Sequence, residues 1–129
     1  MMVRRALADT SIFIGIEAAR FDDDRFTEHE WGVSVITLGE LRLGVLQASD
    51  PDTAARRLST YQLAQRFEPL SIDETVSEAW ALLVSKRAAN LRAPINDSWI
   101  AATAMAHGIP IVTQGSDYSA MPGVEVITI

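Results

Sequence analysis

The stretch of residues 96–113 constrains the fold more than any other part of the chain, because it predicts a helix that leads directly into a buried strand. Asn96 is a favourable N-cap, and Asp97 places a negative charge at the positive end of the helix dipole. Gly108 stands where a terminating glycine is expected. The apolar run Ile111-Val112 is then typical of a strand inside a parallel sheet.

Strand and helix patterns alternate along the rest of the chain. At 129 residues the chain has room for one hydrophobic core, so we expect a single domain over residues 1–129. The alternation predicts an α/β fold with a mainly parallel central sheet flanked by helices. The further predicted strands are Val3–Ala8, Gly32–Ile36, Pro69–Ile72 and Gly123–Ile129, and the predicted helices are Ile12–Ile16, Thr37–Leu46, Asp52–Phe67 and Val76–Arg87.

The composition bounds the compartment and the kinds of site. The chain contains no cysteine, which excludes disulfides and thiolate metal sites. No apolar run is long enough to cross a bilayer, and the apolar stretch near the N-terminus is too short for a signal peptide. We therefore expect a cytoplasmic protein with no membrane partner.

The charge balance bears on nucleic-acid binding. A net charge of −6 argues against binding through the overall field of the protein, because phosphate binding normally depends on a basic surface. The basic residues between Arg42 and Arg92 are compatible with a local basic face that binds phosphate. The competing interpretation is that they only solvate helix exteriors.

Four acidic residues lie at predicted element boundaries, and each has a structural explanation. Asp9 follows the first strand and can cap the first helix. Glu40 fits a capping box that begins at Thr37. Asp97 can serve the helix dipole, and Asp117 can serve a turn after the strand at residues 111–112.

As a set, these acids indicate a metal site. The carboxyl ends of parallel strands meet at one edge, where ligands of α/β proteins bind, so Asp9 and Asp117 are expected there. Asp97 begins a helix that precedes a strand, which places it at the opposite end unless the loop folds back or the helix packs across the edge. Hard oxygen donors without histidine or cysteine are what Mg²⁺ or Mn²⁺ prefers, and a cation would relieve repulsion among the carboxylates.

Several segments, taken in order, resemble the signature segments of PIN-domain ribonucleases. The short chain most resembles the VapC-type toxins of bacterial toxin–antitoxin pairs, and the similarity covers the whole chain. It implies a three-layer α/β/α fold. The segments are Leu7-Ala8-Asp9-Thr10-Ser11, Thr37–Gly44, Asn96–Ala104, Thr113 and Asp117-Tyr118.

The resemblance also implies an activity and partners. Asp9, Glu40 and Asp97 would bind Mg²⁺ or Mn²⁺ in an endoribonuclease that cuts RNA, with Asp117 as a fourth ligand and Thr113 as a polar neighbour. The ion would activate water for attack on the phosphodiester, and Glu40 would orient a water or a second ion. The resemblance further implies a homodimer and a cognate antitoxin whose tail covers the catalytic groove.

Two other functions remain open from the sequence. Many relatives of the resembled family carry an acidic or amide residue where this chain has Gly115, which favours an inactive PIN-like module that binds a protein or RNA. A phosphatase or phosphoacceptor domain with Asp9 as nucleophile fits less well. It would need a second aspartate where Ser11 stands, or a lysine that Lys86 is badly placed to supply.

Overall fold

The computed structural model describes residues 4–20, 29–86, 94–119 and 121–129. Val3, Arg87 and Arg92, which belonged to sequence predictions, lie outside these ranges. The strands are β1 Arg4–Ala8, β2 His29–Ser34, β3 Glu68–Leu70, β4 Ile111–Thr113 and β5 Val126–Thr128. The helices are α1 Thr10–Glu17, α2 Val35–Leu46, α3 Pro51–Ala64, α4 Glu74–Lys86 and α5 Ile95–His107. Over these ranges, none of the helices combines the length and the apolar character needed to cross a bilayer.

The strands form one sheet in the order β3-β2-β1-β4-β5, and every pairing is parallel. This confirms the predicted fold class. The chain proceeds outward from β1 through β2 to β3, and then returns to place β4 on the other side of β1. The order therefore reverses between β1 and β4, and the carboxyl ends of these two strands flank the crevice where α/β proteins bind ligands.

Helices cover both faces of the sheet, and β1 contributes to the core on each face because its successive side chains point in opposite directions. Ala6 and Ala8 pack with Phe13 in a core beneath α1, α2 and α3. Leu7 packs with Ile100 in a second core beneath α4 and α5. Each large apolar side chain buried in this way contributes about 1.5–3 kcal/mol, so the two cores together fix β1 at the centre of a three-layer α/β/α structure.

The direction of α5 decides where its first turn lies. The helix is 13 residues long, so it rises about 20 Å. It ends at Gly108, whose left-handed φ of 63° confirms the predicted terminating glycine. A short link then enters β4, so α5 runs antiparallel to the strand that it precedes. Its first turn consequently lies at the carboxyl edge of the sheet, and this decides the position of Asp97, which the rule for strand ends had left open.

Two predicted helix starts were wrong. Helix α5 begins at Ile95 after Pro94, with no side-chain cap, so Asn96 is not its N-cap. Strand β2 ends at Ser34, whose buried hydroxyl accepts a hydrogen bond of 3.1 Å from the Ile36 amide and caps α2. Because α2 therefore starts at Val35, Glu40 lies in its second turn rather than in a capping box.

Candidate active site

Asp9 is a buried carboxylate at the end of β1, with 6% of its surface exposed. Its Oδ2 accepts hydrogen bonds from the hydroxyls of Ser11 (2.8 Å) and Thr113 (2.9 Å), and its Oδ1 accepts one from Tyr118 (2.7 Å). Asp9 is also the N-cap of α1, as predicted. Three hydroxyl donors thus replace the water that this charge loses on burial.

Asp97 lies next to Asp9, joined to it through the same tyrosine. The Tyr118 hydroxyl is 3.3 Å from Oδ1 of Asp97. Burial, together with the negative charges of Asp9, Asp117 and Glu40, raises the pKa of Asp97 to about 6, although the Tyr118 hydrogen bond opposes the rise. The edge therefore concentrates negative charge from residues that are far apart in the sequence.

Aromatic packing between α4 and α5 holds the first turn of α5 in this position. The rings of Trp80 and Trp99 are stacked, with centroids 4.6 Å apart and planes within 6° of parallel. The Trp80 indole also donates a hydrogen bond of 3.1 Å to the hydroxyl of Ser98. Asp97 directly precedes these two anchored residues, so α4 restrains it.

The loop after β4 folds back over the edge and delivers Tyr118. The Gln114 amide donates to the Ser11 hydroxyl, and the Gly115 amide donates to the Thr113 hydroxyl, both at 3.0 Å. Tyr118 itself is 1% exposed. Burial, the two carboxylates and the hydrogen bonds to them raise the pKa of Tyr118 far above its ordinary value, so its hydroxyl is a protonated donor.

Glu40 reaches the edge from α2 and is oriented by two threonines. Thr10 donates a hydrogen bond of 2.8 Å to Oε1 of Glu40. The hydroxyls of Thr10 and the fully buried Thr37 are 2.9 Å apart. Because the Thr10 proton goes to Glu40, Thr37 donates to Thr10, which fixes the direction of the whole series.

The structure brings some of the predicted ligands closer together than others. Asp9 and Asp97 share one hydroxyl partner. Glu40 and the exposed Asp117 act on Asp97 only electrostatically, because their negative charges raise its pKa. In the ranges given above, no three aspartate, glutamate or histidine side chains are already placed to hold one metal ion. The assignment of all four acids as ligands stays a prediction.

A cleft of about 390 Å³ opens beside Glu40, where α1, α2 and α3 meet. Its lining residues include Thr10, Glu17, Glu40 and Arg57. The Arg57 guanidinium donates a hydrogen bond of 2.8 Å to the carbonyl oxygen of Gly44, which holds it against α2. Of the four candidate acids, the cleft is therefore lined by Glu40, whereas Asp9, Asp97 and Asp117 are not among its lining residues.

Sequence reasoning gave Thr113 as a polar neighbour of the acids but missed the other hydroxyl groups that organise them. Thr10, Ser11 and Tyr118 belong to segments that carry the resemblance, but none of them was given a role toward the acids. A signal was present, because Thr10 and Ser11 directly follow Asp9, and Tyr118 directly follows Asp117. Hydroxyl residues next to acids at strand ends are suited to orient those acids.

Comparison with known proteins identifies the family. The PIN domain family model matches residues 6–124. Ribonuclease VapC4 of Mycobacterium tuberculosis is 82% identical in an alignment of 130 positions that covers 100% of both chains. Ribonuclease VapC5 of the same organism is 38% identical over 125 residues, covering 94% of this chain and 93% of that protein.

A solved structure gives the same result. A crystal structure of VapBC-5, a member of the VapBC family of toxin–antitoxin systems from M. tuberculosis, contains a similar chain with a TM-score of 0.79 and 34% identity. The match covers 97% of this chain and 98% of that one. These similarities confirm the resemblance that was based on the segments around Asp9, Glu40 and Asp97. The chain therefore belongs to the PIN-domain family and, within it, to the VapC group.

Proposed function

We propose that this chain is a metal-dependent endoribonuclease, the toxin of a VapBC-type pair, which hydrolyses RNA phosphodiester bonds. One observation carries the proposal: Asp9 and Asp97 meet at the Tyr118 hydroxyl, at the edge where the strand order reverses. The relatives that match over more than nine-tenths of this chain are ribonucleases by name, VapC4 and VapC5 of M. tuberculosis.

The donor set fits a divalent cation. Burial and neighbouring carboxylates raise the pKa of Asp97 to about 6, and a cation beside Asp97 would favour its charged form. Carboxylate oxygens without nearby thiolates suit Mg²⁺ or Mn²⁺. Asp9, Asp97 and Asp117 would hold the ion, with Glu40 beside them.

The protein's own groups then have distinct tasks. Asp9 is held by three hydroxyls and presents a fixed carboxylate, while Glu40 is held by Thr10 and would orient the attacking water. A bound divalent ion would polarise the phosphodiester and lower the pKa of the water that attacks it. The cleft beside Glu40 would admit the RNA, with Arg57 available for a phosphate contact.

The partners belong to the same proposal. The solved VapBC-5 structure is of a toxin–antitoxin system, and we extend that assembly to this chain. A cognate antitoxin would cover the cleft beside Glu40 with its tail and so block access to the acids. We also propose a homodimer that acts in the cytoplasm.

Purified protein tested on structured RNA would decide the question. Cleavage should require Mg²⁺ or Mn²⁺, cease with EDTA, and fall to background in Asp9→Asn and Asp97→Asn. Asp52→Asn is the matched control, because Asp52 is exposed on α3 and should leave cleavage unchanged. Metal-independent cleavage, or full cleavage by both site variants, would overturn the proposal.

The second function that an observation favours is an inactive module that binds RNA or protein. Gly115 supports it, since no side chain from this position can join the acids. The structure does leave room there, because an added Cβ would meet only the Thr113 hydroxyl, at 3.8 Å. RNA binding without cleavage in any divalent metal would favour this function.

A further inference from the structure

Tyr118 joins the two central acids through a single proton. Its hydroxyl lies 2.7 Å from Oδ1 of Asp9 and 3.3 Å from Oδ1 of Asp97. A phenol has only one proton to donate, so the shorter contact with Asp9 is the stronger hydrogen bond. The Oδ1 atoms of both aspartates therefore lie within hydrogen-bonding distance of the same atom, the hydroxyl oxygen of Tyr118.

The remaining contacts of Asp9 limit how a cation can reach it. Oδ2 already accepts from the Ser11 amide and from the hydroxyls of Ser11 and Thr113, so it has no lone pair free for a cation. Oδ1 accepts from Tyr118 and keeps one lone pair. An incoming cation would therefore bind Asp9 through Oδ1, the atom that Tyr118 holds.

We propose that Tyr118 is a positioning residue that orients Oδ1 of Asp9, the oxygen left open to the divalent cation, and keeps Oδ1 of Asp97 beside it. This inference rests on the proposed metal-dependent function. Tyr118 does not itself touch substrate or metal in this scheme. It acts by orienting ligands, as outer hydrogen-bonding partners do in metal sites.

The role of the hydroxyl can be separated from that of the ring. The ring of Tyr118 packs in the core beneath α5 with Ile100, and phenylalanine would preserve that packing. Tyr118→Phe thus removes the link between the acids while retaining the buried aromatic group. Tyr61→Phe is the matched control, because Tyr61 is the other of the two tyrosines and lies on α3, half-buried.

The first test is calorimetric titration of each protein with Mn²⁺, without RNA. Loss of an outer-shell partner typically costs about 10- to 100-fold in metal affinity, and we expect a loss of that size in Tyr118→Phe and none in Tyr61→Phe. Cleavage by Tyr118→Phe should recover toward the original kcat when Mn²⁺ is raised to saturation. Unchanged affinity, or a kcat that stays low at saturating Mn²⁺, would overturn the inference.

A second test needs no substitution at residue 118. Tyr61→Phe protein carrying tyrosine labelled with ¹³C at Cζ has a single labelled position, Tyr118, that reports on its hydroxyl. Addition of Mg²⁺ should shift this resonance with the same midpoint as the calorimetric titration. A resonance that does not move while Mg²⁺ binds would reject the role, even if Tyr118→Phe failed to fold.

These experiments distinguish failure of the inference from failure of the proposed function. If the unsubstituted protein binds neither Mn²⁺ nor Mg²⁺, the metal-dependent function fails and the inference fails with it. If the unsubstituted protein binds and cleaves while Tyr118→Phe behaves identically, only the inference fails.

Discussion

The Thr10 hydroxyl lies 2.8 Å from Oε1 of Glu40, and this contact connects the first turn of α1 to the second turn of α2. The hydroxyl of the fully buried Thr37 lies 2.9 Å from the Thr10 hydroxyl and donates a hydrogen bond to it. The direction in which Glu40 points is thus set by groups that belong to the core. A partly buried series of this kind fixes a carboxylate more firmly than solvent can.

Thr10→Val should impair cleavage without unfolding the protein, because valine keeps the shape of threonine but cannot donate to Glu40. We expect kcat/KM to fall about 10- to 100-fold, as for other losses of an orienting partner. Thr75→Val, on the exposed first turn of α4, is the control. Equal activity of the two variants in a steady-state assay would show that Thr10 does not orient a functional Glu40.

Asp97→Asn should abolish cleavage yet stabilise the metal-free protein at neutral pH. The two-unit rise in the pKa of Asp97 corresponds to about 3 kcal/mol before screening, and solvent reduces this for a half-buried group. Loss of the helix-dipole contribution, about 0.3–1 kcal/mol, acts against the gain. A net gain on the order of 1 kcal/mol in the free energy of unfolding should appear in urea melts with EDTA. If Asp97→Asn is less stable than the unsubstituted protein, the negative charge of Asp97 does not destabilise the metal-free fold.

The stability of the metal-free protein should vary with pH in the same region. The folded state holds a proton on Asp97 up to about pH 6, whereas the unfolded chain releases it near the ordinary value of 3.8. The free energy of unfolding therefore falls as the pH rises from 3.8 to about 6, and it stays at the lower value above pH 6. Asp97→Asn should flatten this part of the profile in EDTA, and an identical profile in both proteins would refute the assignment.

Metal binding should become weaker below about pH 6, because the cation must displace the proton from Asp97. Affinity for Mn²⁺ should fall about tenfold for each pH unit below this value and level off above it. Titrations in two buffers of different ionisation enthalpy should show about one proton released near pH 5. Proton release near zero at that pH would contradict the prediction.

Arg57→Gln should raise KM for RNA more than it lowers kcat, because Arg57 lines the cleft, whereas the two central acids Asp9 and Asp97 are not among the lining residues. Loss of one phosphate contact should also make RNA binding less sensitive to salt. Since Arg57 also bonds to the Gly44 carbonyl, thermal melts must accompany the kinetics. Arg66→Gln, exposed beyond the end of α3, is the control, and equal effects of both variants would exclude a specific contact.

The sequence predicted the central parts of the fold because they are locally determined. Neighbouring residues alone predict two of these features, the helix cap at Asp9 after a short apolar strand and the terminating Gly108 of α5. The boundary between β2 and α2 was misjudged because Val33-Ser34-Val35-Ile36 has continuous strand propensity. Tertiary packing overrides that propensity, and the Ser34 hydroxyl ends the strand.

The organisation of the site was less predictable, because it depends on contacts between distant segments. The hydrogen bond from Tyr118 to Asp9 spans 109 residues, and it exists only because the loop after β4 folds back. That loop has no periodic pattern from which its course could be predicted. The position of Asp97 required the direction of α5 relative to β4, which follows from the short link after His107.

The central place of β1 in the sheet affects the motions that Asp9 can undergo. Ladders with β2 and β4 hold the strand on both sides, and Ala6, Leu7 and Ala8 have no exposed surface. Amide protons of β1 should therefore exchange with solvent only when the whole molecule opens, whereas those of the edge strand β5 should exchange through local fraying. The acid at the end of β1 would then stay in place through every fluctuation short of global unfolding.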